Sequence, residues 1–206
     1  MKVGHPAMRD IGGEQKETTV ICVCGMAGCG KSTAAKKIAQ RYGLRYFSGG
    51  DALKTLAAEE GYAVGGKGWW ESDEGMRFFE QRKDDLEFDR KVDERLLKLA
   101  EKGGVVLDSW TMPWLFEGGF KVWLEASEDA RAARLAERDG MPAEDALTAL
   151  REKDEKTRAI YEMLYGFRLG EDFAPFHMII DVNFLSAEEV FEALCLVIDK
   201  WLLGKP

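Results

Sequence analysis

The chain has 206 residues, 46% hydrophobic and 32% charged, with a formal net charge of −8. One globular domain of that length can bury a substantial core, and the composition excludes an intrinsically disordered chain. The acidic balance speaks against a broad nucleic-acid surface, and no apolar run is long enough to span a bilayer.

Residues 1–17 are polar, with no apolar signal core, and are read as a flexible N-terminal extension to a single domain over 18–206. Cys22, Cys24, Cys29 and Cys195 have no disulfide-framework spacing. They are expected to be reduced thiols, which points to a cytoplasmic location.

Thr19 to Cys24 is a short β-branched, apolar run, the pattern of a buried parallel strand. It leads into Gly25-Met26-Ala27-Gly28-Cys29-Gly30-Lys31-Ser32, which fits the phosphate-loop pattern G-x-x-x-x-G-K-[ST] at every fixed position. Beyond it Ala34, Ile38 and Tyr42 recur every four residues, and Gly43 is placed to end a helix. Glycines let successive N–H groups turn inward to phosphate oxygens, and the following helix adds its positive end. Gly25 through Ser32, with Thr33, are therefore predicted to bind a nucleoside triphosphate. Lys31 can reach its β- and γ-phosphates, and the Ser32 hydroxyl can ligate Mg²⁺.

Leu44 to Phe47 is a second strand candidate, running into Ser48-Gly49-Gly50-Asp51, a turn able to cap a helix near Ala52. Gly61 to Trp70 is a break, and residues 71–84 suggest a helix packed on Met76, Phe78 and Phe79. Residues 86–102 form an amphipathic helix with Phe88, Val92, Leu96 and Leu99 on one face. Val105 to Asp108 is an apolar strand ending in a carboxylate, a position where phosphate-loop enzymes handle Mg²⁺ or substrate. Phe120 to Leu124 is a fourth strand, and Ser127 caps a helix over 128–139 that Gly140 stops. Pro142 starts a helical stretch to about Tyr165. Met178 to Val182 is a fifth strand, and Ser186 with Glu189 makes a capping box for the last helix. Five alternations of strand and helix predict an α/β fold, a five-stranded parallel sheet with helices on both faces. Ligands of such a sheet sit beyond the carboxyl ends of its strands, where the loop, Asp51 and Asp108 fall.

Arg131, Arg134 and Arg138 share one helix face, and Arg151, Asp154, Arg158, Tyr161 and Tyr165 continue the spacing on the next helix. Such stripes are either solvated faces or cations that neutralise a transferring phosphoryl group. Asp89 and Asp93, one turn apart, are either ordinary helix charges or hydrogen-bonding groups for a base or sugar. Trp69, Trp70, Trp110 and Trp114 suit the core or a stacking surface.

Together these stretches resemble the archaeal type of cytidylate kinase, within the nucleoside monophosphate kinases. The resemblance runs from about Thr18 to Asp199. It is carried by the phosphate loop, Phe47 to Lys54, Glu87 to Asp93, Lys102 to Asp108, Ala130 to Gly140, Arg158 to Gly166 and Met178 to Asp181. It implies a P-loop fold with a small acceptor-binding insertion at about 50–100 and a mobile lid at about 138–160. The implied reaction is Mg²⁺-dependent transfer of the ATP γ-phosphoryl group to a nucleoside monophosphate, CMP or dCMP, by a monomer. Lys31 and Ser32 would hold the donor phosphates, with Mg²⁺ on Ser32 and Asp108, and Arg131, Arg134, Arg151 and Arg158 match lid or lid-flanking arginines. Ser48, Gly50, Asp51, Lys54, Asp89, Asp93, Asp108 and Trp110 fall on the acceptor side. Lys54 stands where the family's pattern has an arginine, and Ser109-Trp110 where it has a glycine–arginine pair. Residues 62–84 are longer than the matching segment and richer in glycine and tryptophan. These departures leave open a kinase for another small-molecule acceptor, or an ATP-binding sensor with little turnover.

Overall fold

The computed structural model describes residues 11–66 and 68–204. Its strands are β1 (Val20–Cys24), β2 (Arg45–Ser48), β3 (Val105–Asp108), β4 (Phe120–Glu125) and β5 (Met178–Asp181). They form one sheet in the order β2-β3-β1-β4-β5, parallel at every pairing. β1 is central, and the chain leaves it toward β2 and β3 on one side and β4 and β5 on the other. The crevice for a ligand in an open parallel sheet lies at such a reversal.

The pleat of β1 divides the core. Ile21 and Val23 face a layer with Ala35 and Ile38 of α2 (Lys31–Tyr42) and Leu194 and Ile198 of α9 (Ala187–Leu203). Val20 and Cys22 face the other layer, with Phe88, Val92 and Leu96 of α5 (Glu87–Lys102) and Leu53 of α3 (Gly49–Glu59). Each aliphatic side chain so buried contributes about 1.5–3 kcal/mol. The helix ends follow the sequence signals: Gly43 and Gly140 are left-handed caps, and Ser186 with Glu189 closes a capping box.

Register places the functional end. Val23 and Ser48 both pair with Asp108, so the last residues of β1, β2 and β3 emerge side by side. The long helix α8 (Ala143–Tyr165) packs on α7 (Glu128–Asp139) and on α4 (Asp73–Asp84), above that end.

Two short helices were not expected. α6 (Met112–Leu115) follows β3 with Pro113 in its first turn. α1 (Gly13–Thr18) lies within the stretch read as an extension, where Gln15 donates to the Leu202 carbonyl at 2.6 Å and Thr19 to the Gln15 carbonyl at 2.6 Å. Residues 1–10 of that reading lie outside the described residues. Among the described residues no helix is long and apolar enough to cross a membrane.

Candidate active site

A cavity of about 540 Å³ opens at the carboxyl end of the sheet. Its floor is the loop from Ala27 to Ser32 and the start of α2. Gly30, at φ 96°, caps α2, and its left-handed backbone turns the loop into the helix axis. Gly28 has φ 79°, and a Cβ there would meet the Arg131 carbonyl oxygen at 2.8 Å, so only glycine lets loop and α7 approach this closely. Beneath the loop, buried Arg131 donates to the Ala27 and Ala126 carbonyls and to Asp154 at 2.8 Å. Cys24 and Cys29 are buried, and burial raises both thiols above their ordinary range, so neither is a ready nucleophile.

Lys31 donates to the Met26 carbonyl at 3.4 Å and lies 5.0 Å from the Trp110 ring. Trp110 Nε1 in turn donates to the Gly25 carbonyl at 2.7 Å. The Ser32 hydroxyl donates to Asp108 Oδ2 at 2.5 Å, and the Tyr46 hydroxyl donates to the same oxygen at 3.2 Å. A hydroxyl and a carboxylate side by side at a phosphate loop are hard oxygen donors. They suit Mg²⁺, which takes one or two protein oxygens and fills its octahedron with phosphate and water.

On the opposite wall are Ser48, Gly50, Asp51 and Lys54. The Ser48 hydroxyl accepts from the Asp51 N–H and so caps α3. Lys54 lies 5.6 Å from the Trp69 ring. Deeper, Asp89 is held by buried Arg82, with Nε to Oδ2 at 2.9 Å and Nη2 to Oδ1 at 2.6 Å, and by the Tyr161 hydroxyl at 3.2 Å. Burial opposes the Arg82 charge, but Asp89 and Tyr161 outweigh it and raise the guanidinium further. Asp93 accepts from Thr111 at 2.5 Å and from Tyr165 at 2.8 Å. Its burial outweighs those bonds and pushes the carboxyl up to about 7.

The sequence-predicted residues thus separate. Ala27 to Thr33, Ser48, Gly50, Asp51, Lys54, Asp89, Asp93, Asp108, Trp110 and Arg134 line one cavity. Gly25 and Met26 support the loop from behind it, through the Trp110 and Lys31 contacts. Convergence of four lid arginines is not seen. Arg131 is committed to loop carbonyls and Asp154, exposed Arg151 pairs with Glu128, and Arg158 donates to the Leu169 carbonyl. The helical spacing holds, but the 23-residue α8 carries Arg151 and Arg158 out of the cavity wall. Trp110 lines the cavity as expected, and its indole N–H also bonds the donor loop.

Arg82, Lys153 and Glu71 were missed. Arg82 and its partner Asp89 lie on two helices, so no single periodicity links them. Lys153 lines the cavity, donates to Glu71 at 2.8 Å, and is lowered by burial to about 8. Its place between the arginines of α8 gave no motif signal.

A family model described as the cytidylate kinase-like family matches residues 20–183. A cytidylate kinase of Pyrococcus horikoshii is 32% identical over 185 residues, 89% of this chain and 90% of its own. One of Aeropyrum pernix is 32% identical over 174 residues, 84% of this chain and 94% of its own. Among solved structures, a shikimate kinase from Bacteroides thetaiotaomicron superposes with a TM-score of 0.54 at 17% identity, over 88% of this chain and 98% of that one. At that identity the likeness speaks for the phosphate-loop kinase fold alone.

Proposed function

This chain belongs to the cytidylate kinase-like family and is a nucleoside monophosphate kinase, and we propose that it transfers the γ-phosphoryl group of ATP to CMP or dCMP with Mg²⁺. The observation that carries this reading is the single cavity holding a complete phosphate loop at one end and the Asp51–Lys54–Asp89–Asp93 set at the other. A donor phosphate and an acceptor can meet there without leaving the protein.

The loop N–H groups and Lys31 would hold the donor phosphates, and Ser32 with Asp108 would hold the ion. Mg²⁺ bound there supplies charge neutralisation on the phosphate oxygens. The protein's own share is positioning and electrostatics. Lys31 lines the cavity, with the Trp110 ring 5.0 Å from its ammonium. Lys54 offers a compact charge to the acceptor phosphate where an arginine would offer a planar fork. An ionised acceptor phosphate is itself the nucleophile, so no general base is required. Arg82 fixes both oxygens of Asp89, leaving that carboxylate oriented toward the cavity as an acceptor for an amino or hydroxyl group. We propose a substrate contact for Asp93 as well, and for Arg134 a role on the donor side beside Val182, whose carbonyl it bonds at 2.6 Å. Arg131 is assigned to shaping the loop rather than to touching the transferred group.

The test is acceptor-dependent ADP release over a panel of nucleoside monophosphates, their deoxy forms and small hydroxylated metabolites. CMP and dCMP are expected to lead. A preference for a hydroxylated metabolite would replace the acceptor while keeping the donor site.

A further inference from the structure

Glu71 belongs to no motif. It ends a one-turn 3₁₀ segment, Trp69–Glu71, in the stretch that departs from the family's pattern. The turn is fixed from below by Gly75, where a Cβ would lie 2.1 Å from the Trp69 carbonyl oxygen. The Glu71 side chain is fully buried, yet the residue lines the cavity. Its two oxygens are divided between two cations from different helices. Lys153 of α8 donates to Oε1 at 2.8 Å, and Arg138 at the end of α7 donates to Oε2 at 3.1 Å. Both cations also line the cavity. Lys31 lines the same cavity, so the pair shares it with the phosphate loop.

A buried ion pair is weak evidence for stability, because desolvation offsets most of the attraction. This one is better explained by what else the cations could bind. A carboxylate brings one negative charge, whereas a terminal phosphate brings about 1.5–2 and more acceptor oxygens. On the wall of a phosphate-binding cavity the two are competitors for the same ammonium.

We propose that Glu71 is a resident anion, standing in on Lys153 for a nucleotide phosphate that displaces it on binding. The exchange keeps Lys153 neutralised before and after substrate enters. It also discriminates by charge, since a singly charged ligand gains little over the carboxylate already present. Trp70, whose ring lies 5.4 Å from the Lys153 ammonium, keeps that ammonium at the wall during the exchange. The inference rests on the nucleotide-kinase reading and adds to it a residue that works against binding.

Calorimetric titration of the whole protein with the Mg²⁺ complex of the β,γ-imido analogue of ATP tests it. Glu71→Gln keeps the shape and removes the charge, and should bind the analogue about 5- to 20-fold tighter than wild type. Lys153→Met should bind about 10- to 100-fold more weakly. In the Lys153→Met background, most of the gain from Glu71→Gln should be lost, leaving only the share that runs through Arg138, and an undiminished gain would overturn the inference. Should Lys153→Met fail to fold, Lys153→Arg keeps the cation, and the gain from Glu71→Gln must persist in it. Unchanged or weaker binding in Glu71→Gln would overturn the inference, because a carboxylate that only positions Lys153 cannot be removed with profit. The titration reads binding, not turnover. A coupled pair in a protein that ignores CMP would overturn the acceptor assignment alone, and CMP turnover without coupling would overturn this inference alone.

Discussion

The indole N–H of Trp110 bonds the Gly25 carbonyl at 2.7 Å, tying the turn after β3 to the first residue of the phosphate loop. The same ring lies 5.0 Å from the Lys31 ammonium, so one side chain holds both the loop and its lysine. Trp110→Phe keeps the ring and loses the bond, and should weaken ATP binding about 3- to 10-fold. Trp110→Ala also removes the surface beside Lys31 and should cost roughly another tenfold. Trp110→Arg should likewise weaken ATP binding rather than simply repair acceptor binding. Dissociation constants for ATP in the three variants check this, and equal affinities throughout would refute a donor-side role.

The arginine stripe divides by stability. Arg131→Ala removes the partner of Asp154 and of the Ala27 and Ala126 carbonyls in a buried site and should lower stability by about 3–5 kcal/mol. Arg151→Ala removes an exposed pair with Glu128 and should change stability by less than about 1 kcal/mol. Denaturant unfolding of both variants measures the contrast. Equal losses would mean that Arg131 is not the strut beneath the loop.

Asp93 carries a pH signature. Its carboxyl is raised by burial to about 7 from 3.8, so in this window the folded state holds a proton that the unfolded state has released. The penalty is absent below pH 3.8, grows as pH rises, and is complete above about 7. Asp93→Asn should therefore gain stability relative to wild type across that range, by up to about 4 kcal/mol at about 1.4 per unit, and stay level above it. Melting temperatures against pH for the two proteins decide it. A constant difference would show that Asp93 ionises freely in the fold.

The five strands, the phosphate loop and the helix caps were legible in the sequence because each is encoded locally. An apolar β-branched run, a fixed glycine spacing and a serine three residues before a glutamate need no knowledge of distant chain. The Ser32–Asp108 contact was legible at one remove, through topology, since strand ends in a parallel sheet emerge together. What escaped depends on how helices lean on each other. Arg82 meets Asp89 across the turn between α4 and α5, and Lys153 meets Glu71 across 82 positions of chain. Helical spacing did not give the depth of Arg131 and Arg151: the first is buried against the phosphate loop and the second is exposed. The indole bond of Trp110 was not legible either, because it runs back to a loop 85 positions earlier.

The most direct test of the proposed activity pairs CMP-dependent ADP release with Lys31→Ala. Wild type should release ADP from MgATP only when an acceptor is present, with kcat/KM highest for CMP or dCMP. Lys31→Ala should lose that release while keeping the wild-type far-UV spectrum and melting transition. Wild-type ADP release that is independent of every nucleoside monophosphate, or CMP-dependent release that survives in Lys31→Ala, would contradict it.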